Sequence, residues 1–460
     1  MNQSSNNTRL NELAESPVGS LLFRYSFPAI VGMVVMSLYN VIDRIIIGQI
    51  VGPEAITGLT ITFPVMNLTA ALGILVGAGS SACVSIMLGS GDRRSASIVL
   101  GNALTLTLIF ATLYIAFFGV YLDDILRSFG ASDVTLPYAR EFMTYLLPGL
   151  LMTNLTFSFN NIMRASGYPI RAMVTMLIGA GCNVVLAYLF VIVLDLGIKG
   201  AAIATDISMT VSMLFVMAHF FKAESTLRFH RGTFGLRFHI VGRIVAIGAA
   251  PSLVNAAACF INVIINRSLY DYGGDMAVGA AGIFTTFTSL LTMVCVGLCQ
   301  GMQPIVGYNY GAGNLHRLNR CYWLAVAVAT AVTGAGAAIG YTMPGYIARA
   351  FTTDGVLIST TVQALSIAMT AFPVVGFQIV STTFFQSIGY AAKSIFLSLC
   401  RQVLFLIPLL LWLPPYFQLA GVWMAFPISD IIATIVTAIM IATQLHSLRN
   451  IHLNSSHKTK

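Results

Sequence analysis

The sequence predicts an all-α polytopic membrane protein of about twelve transmembrane helices, arranged as two parallel six-helix repeats. Residues 1–225 would form an N-lobe and residues 226–460 a C-lobe, enclosing a central cavity. Three observations carry this expectation. Of the 460 residues, 57% are hydrophobic and 9% are charged, against roughly a quarter charged in a soluble domain, so the polar surface of a soluble fold is missing. Apolar runs long enough to cross about 30 Å of hydrocarbon recur with short links between them. The second half also repeats landmarks of the first in the same order.

In chain order the runs cover about 20–47, 54–80, 95–121, 133–160, 168–194, 197–221, 238–270, 275–302, 315–341, 355–385, 392–413 and 418–446. Each is long enough to span, some with tilt. Pro28, Pro64, Pro148, Pro251, Pro373 and Pro427 fall within runs, where a missing N–H kinks a helix and frees backbone carbonyls. Met1 to Ser16 is polar and lacks the basic stretch and short apolar core of a cleaved signal, so the first helix is expected to direct insertion. The cysteines lie in or beside apolar runs and are read as packing residues. Cys295 and Cys299 are four apart but lack the histidine or acid that a metal site needs.

Orientation follows from lysine and arginine. Arg9, Arg93, Arg94, Arg164, Arg171, Arg231, Arg243, Arg317, Lys393, Arg401, Arg449, Lys458 and Lys460 fall at one side if the runs alternate, whereas the other side holds Arg127, Lys199 and Arg349. Basic residues concentrate on cytoplasmic loops, so both termini are expected in the cytoplasm and the chain in a bacterial inner membrane. The net charge of +8 is spread over loops without one basic face, which argues against a nucleic-acid partner. The histidines, His219 at a helix end included, are read as solvated.

The repeat is legible residue by residue. Pro28 matches Pro251, Val41-Ile-Asp-Arg44 matches Ile264-Ile-Asn-Arg267, Gly58 matches Gly282 and Gly77 matches Gly301. Gly89 and Arg93 align with Gly313 and Arg317, Ser166-Gly-Tyr168 with Ile388-Gly-Tyr390, and Gly200-Ala-Ala-Ile-Ala204 with Gly421-Val-Trp-Met-Ala425. Six spans return the chain to its starting side, so the repeats are parallel, related by an axis along the membrane normal. One difference stands out: Asp43 aligns with Asn266. A charge at bilayer depth costs about 2.5–3.5 kcal/mol on insertion scales unless it meets water, a partner or a proton. Structure alone would tolerate the amide, so Asp43 is a functional candidate. The competing reading is a helix-end acid in outer water, with Gly48 to Pro53 already an exit loop.

Tyr39-Asn-Val-Ile-Asp43 with Gly48, Gly200-Ala-Ala-Ile-Ala-Thr205, Gln300-Gly-Met-Gln-Pro304, Gly307-Tyr-Asn-Tyr-Gly311 and Gly421-Val-Trp-Met-Ala-Phe-Pro427 make the chain resemble the multidrug and toxic compound extrusion (MATE) family, in its branch of drug exporters. The resemblance covers nearly all of the chain after the first dozen or so residues. It implies a secondary antiporter that expels organic cations in exchange for H⁺ or Na⁺, needs no other cofactor, and keeps an ion site near the first helix's acid. Carried over residue by residue, that site would use Tyr39, Asp43, Asn183 and Thr205, with Asn160 and Asp206 as further candidates. Carboxylate, amide, hydroxyl and phenol oxygens can ligate a hard cation or satisfy a protonated acid. Ala187, one turn after Asn183, stands where related proteins often carry a second carboxylate, which favours H⁺ over Na⁺. Asp206 lies about 100° around the helix from Thr205.

Each candidate has a plainer reading beside it. Asn183 and Thr205 would serve equally as hydrogen bonds between helices, Asp430 as half of a C-lobe ion pair, and Arg44 and Arg267 as snorkelling residues near the outer surface. Gln300, Gln303, Met33 and Met293 are expected to line the substrate cavity, since amides and thioethers adapt to varied shapes, although packing accounts for them as well. No His-Glu-x-x-His helix, phosphate loop or protease pattern occurs, so an enzyme is not expected and energy must come from an ion gradient. A lipid-linked precursor flippase of similar architecture and a non-transporting receptor or scaffold are the alternatives. The expected partners are small-molecule organic cations and the bilayer, and a monomer is expected.

Overall fold

The computed structural model describes residues 11–50, 53–222, 224–230 and 232–458. Arg9, Arg231, Lys460, the middle of the Gly48–Pro53 stretch and the side chains of Arg44 and Lys458 lie outside the described residues.

Among the described residues all regular secondary structure is helical. The N-terminal half comprises α1 (Val18–Ile50), α2 (Pro53–Gly89), α3 (Arg93–Ser128), α4 (Leu136–Ala165), α5 (Pro169–Ala187, continued by the π-helical Tyr188–Val193) and α6 (Gly197–Phe221). The 74-residue element Phe238–Gly311 breaks at Gly274 into α7 (238–273) and α8 (275–311). Its φ of +61° suits a residue without a Cβ. Then come α9 (Leu315–Thr342), a short unlabelled helix Pro344–Phe351, and α10 in two pieces (Gly355–Ala368 and Phe372–Ser387) bent by 58°. Last are α11 (Ala391–Leu399, π-helical Cys400–Leu406, Ile407–Trp412) and α12 (Pro414–Lys458). Among the described residues nine helices are long and apolar enough to cross a membrane, ten with the bent pair. The break at Gly274 and the 30-residue α4, about 45 Å long, bring the number to twelve. Pro28, Pro64, Pro148, Pro251 and Pro427 lie inside helices as expected, but Pro373 opens the second piece of α10, where its missing N–H costs nothing.

Turn chemistry corrects the repeat register. After α2, Gly91 (φ +81°) precedes Asp92, whose carboxylate accepts from the Ser95 amide at 2.9 Å; after α8, Gly313 (φ +73°) precedes Asn314, which accepts from Arg317 at 3.2 Å. Gly91 is therefore the counterpart of Gly313, and Gly89 that of Gly311, two residues from the sequence alignment. Contacts agree: a Cβ on Gly89 would meet the Tyr308 carbonyl, and one on Gly311 the Ile86 carbonyl.

The two halves share a core at one end. A single core there draws on both, with Leu21, Val76 and Phe159 from one and Ile244, Met302 and Phe384 from the other. At the opposite end each half has its own core, around Leu59, Phe118 and Leu147 in one and around Ile261, Leu410 and Trp423 in the other. Glycines bring the backbones together at the shared end. A Cβ at Gly79 would strike the Ile244 carbonyl, one at Gly248 the Leu75 carbonyl, and ones at Gly297 and Gly301 the α1 backbone at Ile30 and Ser26. Gly79, not Gly77, thus plays the part of Gly301. Ser26 Oγ donates to the Leu298 carbonyl at 3.2 Å and Gln303 Nε2 to the Ala78 carbonyl at 3.3 Å. Arg317 clasps the leading segment through the Leu13 and Ser16 carbonyls at 3.3 and 2.6 Å.

Three sequence expectations change. His219 is buried, with Arg171 Nη1 3.0 Å from its Nδ1 and Ser225 Oγ 3.3 Å from its Nε2. Arg164 turns inward and is 4% exposed. Arg401 sits ten residues into the Ala391–Trp412 span, about 15 Å along its axis, so neither it nor Arg164 is a loop charge.

Candidate ion-coupling site and transport cavity

Asp43 lies on α1 seven residues before Ile50, one turn beyond Tyr39, and is half-buried. The helix continues past Gly48 to Ile50, so the chain has not yet left the helix at Gly48. Among the described residues it has no recorded hydrogen bond or ion pair. Tyr39 is 8% exposed and packs with Ala180 and Met209 against Met36 and Met152. α5 and α6 bring Asn183 and Thr205 together: the fully buried Asn183 donates from Nδ2 to Thr205 Oγ1 at 3.1 Å, and Thr205 donates to the Ala201 carbonyl at 3.0 Å. Asn160 donates to the Ala172 carbonyl at 3.1 Å.

These bonds consume donors and leave acceptors. Asn183 Oδ1 and Asn160 Oδ1 are buried without a hydrogen-bond partner, and each such atom costs about 1–3 kcal/mol until something donates to it or a cation binds it. Asp206 Oδ1 is also unpartnered, but this carboxylate lies against Gly149 of α4, where only a residue without a Cβ leaves room. Asp206 therefore faces away from the Asn183–Thr205 pair, as the turn of the helix predicts. Ala187 is fully buried at the start of the π-helical segment.

Two adjoining compartments lie between and within the halves. The smaller, about 260 Å³, is walled by Met36, Tyr39, Asn160, Arg164, Met209 and Met293 among others; the larger, about 520 Å³, by Asn255, Gln303, Gln378, Arg401 and Gln402 among others. Met33, Phe157, Asn161 and Gln300 belong to both. All four expected cavity residues, Gln300, Gln303, Met33 and Met293, therefore line it. Asp43, Asn183, Thr205 and Asp206 do not. Arg164 donates to Gln300 Oε1 across the partition, joining α4 to α8, while Gln300 Nε2 lies 3.7 Å from Met33 Sδ. Ser37 Oγ approaches Met293 Sδ at 2.7 Å.

The lining contains Arg164 and Arg401 but no Asp or Glu among the described residues. Sequence reading missed both arginines because it assigned them to loops. For Arg401 its position inside the 392–413 run was the available signal. Asp430, 4% exposed, receives Arg401 Nε on Oδ1 at 2.7 Å, the C-lobe pairing expected of it. Arg267, on the contrary, is exposed and 3.9 Å from Asp271 one turn away.

Comparison with known proteins adds the following. The MatE family model matches residues 28–189 and again residues 251–412. The multidrug export protein MepA of Staphylococcus aureus (strain MRSA252) is 24% identical over 430 residues, 93% of this chain and 94% of that protein. Among solved structures, an outward-facing conformation of a multidrug resistance MATE family transporter of the MOP superfamily superposes with a TM-score of 0.90 at 26% identity, covering 95% of this chain and 98% of that one. A MOP superfamily transporter from Pyrococcus furiosus, described as having a binding pocket of reverse polarity that suggests a different function, matches with the same TM-score, identity and coverage.

Proposed function

The chain belongs to the MatE family of transporters, and from that premise we propose that it is a secondary antiporter exporting organic cations and related drugs across a bacterial inner membrane in exchange for H⁺. The N-lobe (1–225) carries the coupling acid and the C-lobe (226–460) the other wall of the cavity. The observation that carries this reading is the buried pair Asn183–Thr205 with two unpartnered acceptors, Asn183 Oδ1 and Asn160 Oδ1, in the half that also holds Asp43. A protonated carboxyl can donate to such an acceptor; an ionised one cannot. If proton and drug favour different arrangements of α1, which carries Pro28 inside it, binding of one drives release of the other.

H⁺ is preferred to Na⁺ because a hard cation wants several oxygen ligands, anionic ones among them, and the fully buried Ala187 offers none. In proteoliposomes a pH gradient without Na⁺ should drive dye movement, and a Na⁺ gradient alone should not. Ala187→Asp should introduce a Na⁺ dependence. Strict Na⁺ dependence of the unmodified protein at every pH would refute the proton reading.

The relative's name, multidrug export protein, supports drugs as cargo, and the Met- and amide-lined walls suit varied shapes. Both termini are placed in the cytoplasm by the basic-loop bias. With native cysteines replaced, a cysteine near Arg93 should react with an impermeant thiol reagent only from inside, and one near Asp124 or Gly274 only from outside. The reverse pattern would overturn the orientation.

A further inference from the structure

The larger compartment has a polar chemistry that export of simple cations does not use. Arg401 lines it, 31% exposed, with Nε on Asp430 and no recorded partner for its two terminal nitrogens. Around it, Asn255 Oδ1, Gln378 Oε1 and Gln402 Oε1 are buried without partners, and all three residues line the same compartment. The orientation of Gln378 is fixed, because its Nε2 donates to the Asp430 carbonyl and to Thr434 Oγ1 at 2.6 Å. Gln378 is 5% exposed, so its orphan acceptor is sheltered from bulk water.

The feature belongs to one lobe. In the register aligning Ser166-Gly-Tyr168 with Ile388-Gly-Tyr390, Arg401 corresponds to Gly179; in that aligning Gly200 with Gly421, Asp430 corresponds to Met209. A Cβ on Gly179 would lie 3.9 Å from Met209 Cε, so the N-lobe places these two positions side by side as the C-lobe does. One lobe fills the spot with Ser212 and Met209 side chains, without a charge, and the other with an ion pair bordering the cavity. Packing is met by the uncharged version. A buried pair, in contrast, loses solvation that its attraction barely repays.

We propose that the C-lobe compartment is a subsite for a carboxylate borne by an amphipathic substrate that also carries a nearby N–H or O–H donor. The forked guanidinium offers its two outer N–H groups to the carboxylate while Asp430 holds the inner one and fixes the plane. The amide oxygens of Gln378, Asn255 and Gln402 accept from the donor. The apolar body lies against Met33, Phe157 and Ile379 in the same space. This rests on the reading above only in treating the cavity as the substrate's site.

The test is equilibrium binding, independent of transport. Fluorescence anisotropy on the purified full-length protein compares a xanthene dye bearing a free carboxylate with the methyl ester of the same dye. The acid should bind more tightly. In the paired variant Arg401→Gln with Asp430→Asn, which leaves no lone buried charge, the ratio of acid to ester affinity should fall about tenfold, and Gln378→Leu should lower it less. A purely structural role would weaken both dyes together and leave the ratio unchanged. Equal affinity of the two dyes for the unmodified protein, an unaltered ratio in the paired variant, or no binding of the acid dye would each overturn the subsite. Failure of proton-driven flux in vesicles, with the ratio behaving as described, would overturn the antiporter and not the subsite.

Discussion

Asp43→Asn protein should insert and accumulate like the unmodified chain and yet export a cationic dye no faster than empty vesicles under a pH gradient. The amide is nearly isosteric with the acid, and the other repeat already carries Asn266 at the aligned position, so packing tolerates it. What disappears is the only carboxyl group in the α1 sequence between Val18 and Ile50. Exchange requires that proton and drug each favour a different state of the carrier. A residue that cannot change its protonation has no differential affinity to contribute, and a ligand that binds both states equally shifts neither. The reciprocal change, Asn266→Asp, should add no flux, because the C-lobe has no counterpart of the Asn183–Thr205 pair: in the registers that align Ser166 with Ile388 and Gly200 with Gly421 those positions are Phe405 and Phe426. Efflux by Asp43→Asn at the native rate and equal expression would remove Asp43 from the coupling step and leave Asp206 as the acid to examine.

The second large effect is expected at the seam between the halves. Gly248→Leu should lose most transport, whereas Gly334→Leu on α9, where a Cβ meets nothing within 4 Å, should be nearly neutral. At Gly248 the new side chain would collide with the Leu75 carbonyl, which is backbone and cannot swing aside. Overpacking of this kind costs about 1–3 kcal/mol. Applied only to the arrangement in which α2 and α7 touch, that cost shifts a two-state equilibrium roughly 5- to 150-fold towards the parted arrangement. Native Cys83, 1% exposed within the shared core, reports the change. Its alkylation should accelerate in Gly248→Leu and stay slow in Gly334→Leu. Equal, slow alkylation with normal efflux in both would mean that the seam yields without penalty.

Hydropathy and the internal repeat sufficed for twelve helices and two lobes, because a span must satisfy every backbone group internally and leaves a long apolar signature. Residue letters were less able to set the register of α2 against α8. Gly77, Gly79 and Gly89 look alike in sequence, and only contact tells that Gly79 meets the facing backbone while Gly77 lies against Ser158 of its own half. The ion site was legible as a set of residue types; Asn183 and Thr205 do meet, but the partition of the cavity depends on which way long side chains turn. Arg164 lies one residue from the end of α4, and a guanidinium reaches several ångströms from its Cα. Positive-inside counting cannot separate an arginine that leaves the membrane from one that bends into a cavity. His219 was misjudged for the same reason: its helix ends at Phe221, but Tyr168 covers it with ring centroids 4.3 Å apart.

The glycine seam is built alike from either side, though not of identical residues. α1 lies on α8 through Gly297 and Gly301 as α7 lies on α2 through Gly79, and Gly89 and Gly311 each receive the other's helix. A surface that fits its own copy in this way is isologous, the kind that closes a twofold dimer without further growth. A single six-helix unit bearing this face holds what pairing with a second unit requires, and two such units would form a homodimer with identical walls. Joining the two in one polypeptide, through residues 222–237, keeps the face under a shared constraint while releasing the walls from identity. An acid could then be held at one Asp43 position and an amide at the other, and an arginine where the sister unit has glycine, which no homodimer can do.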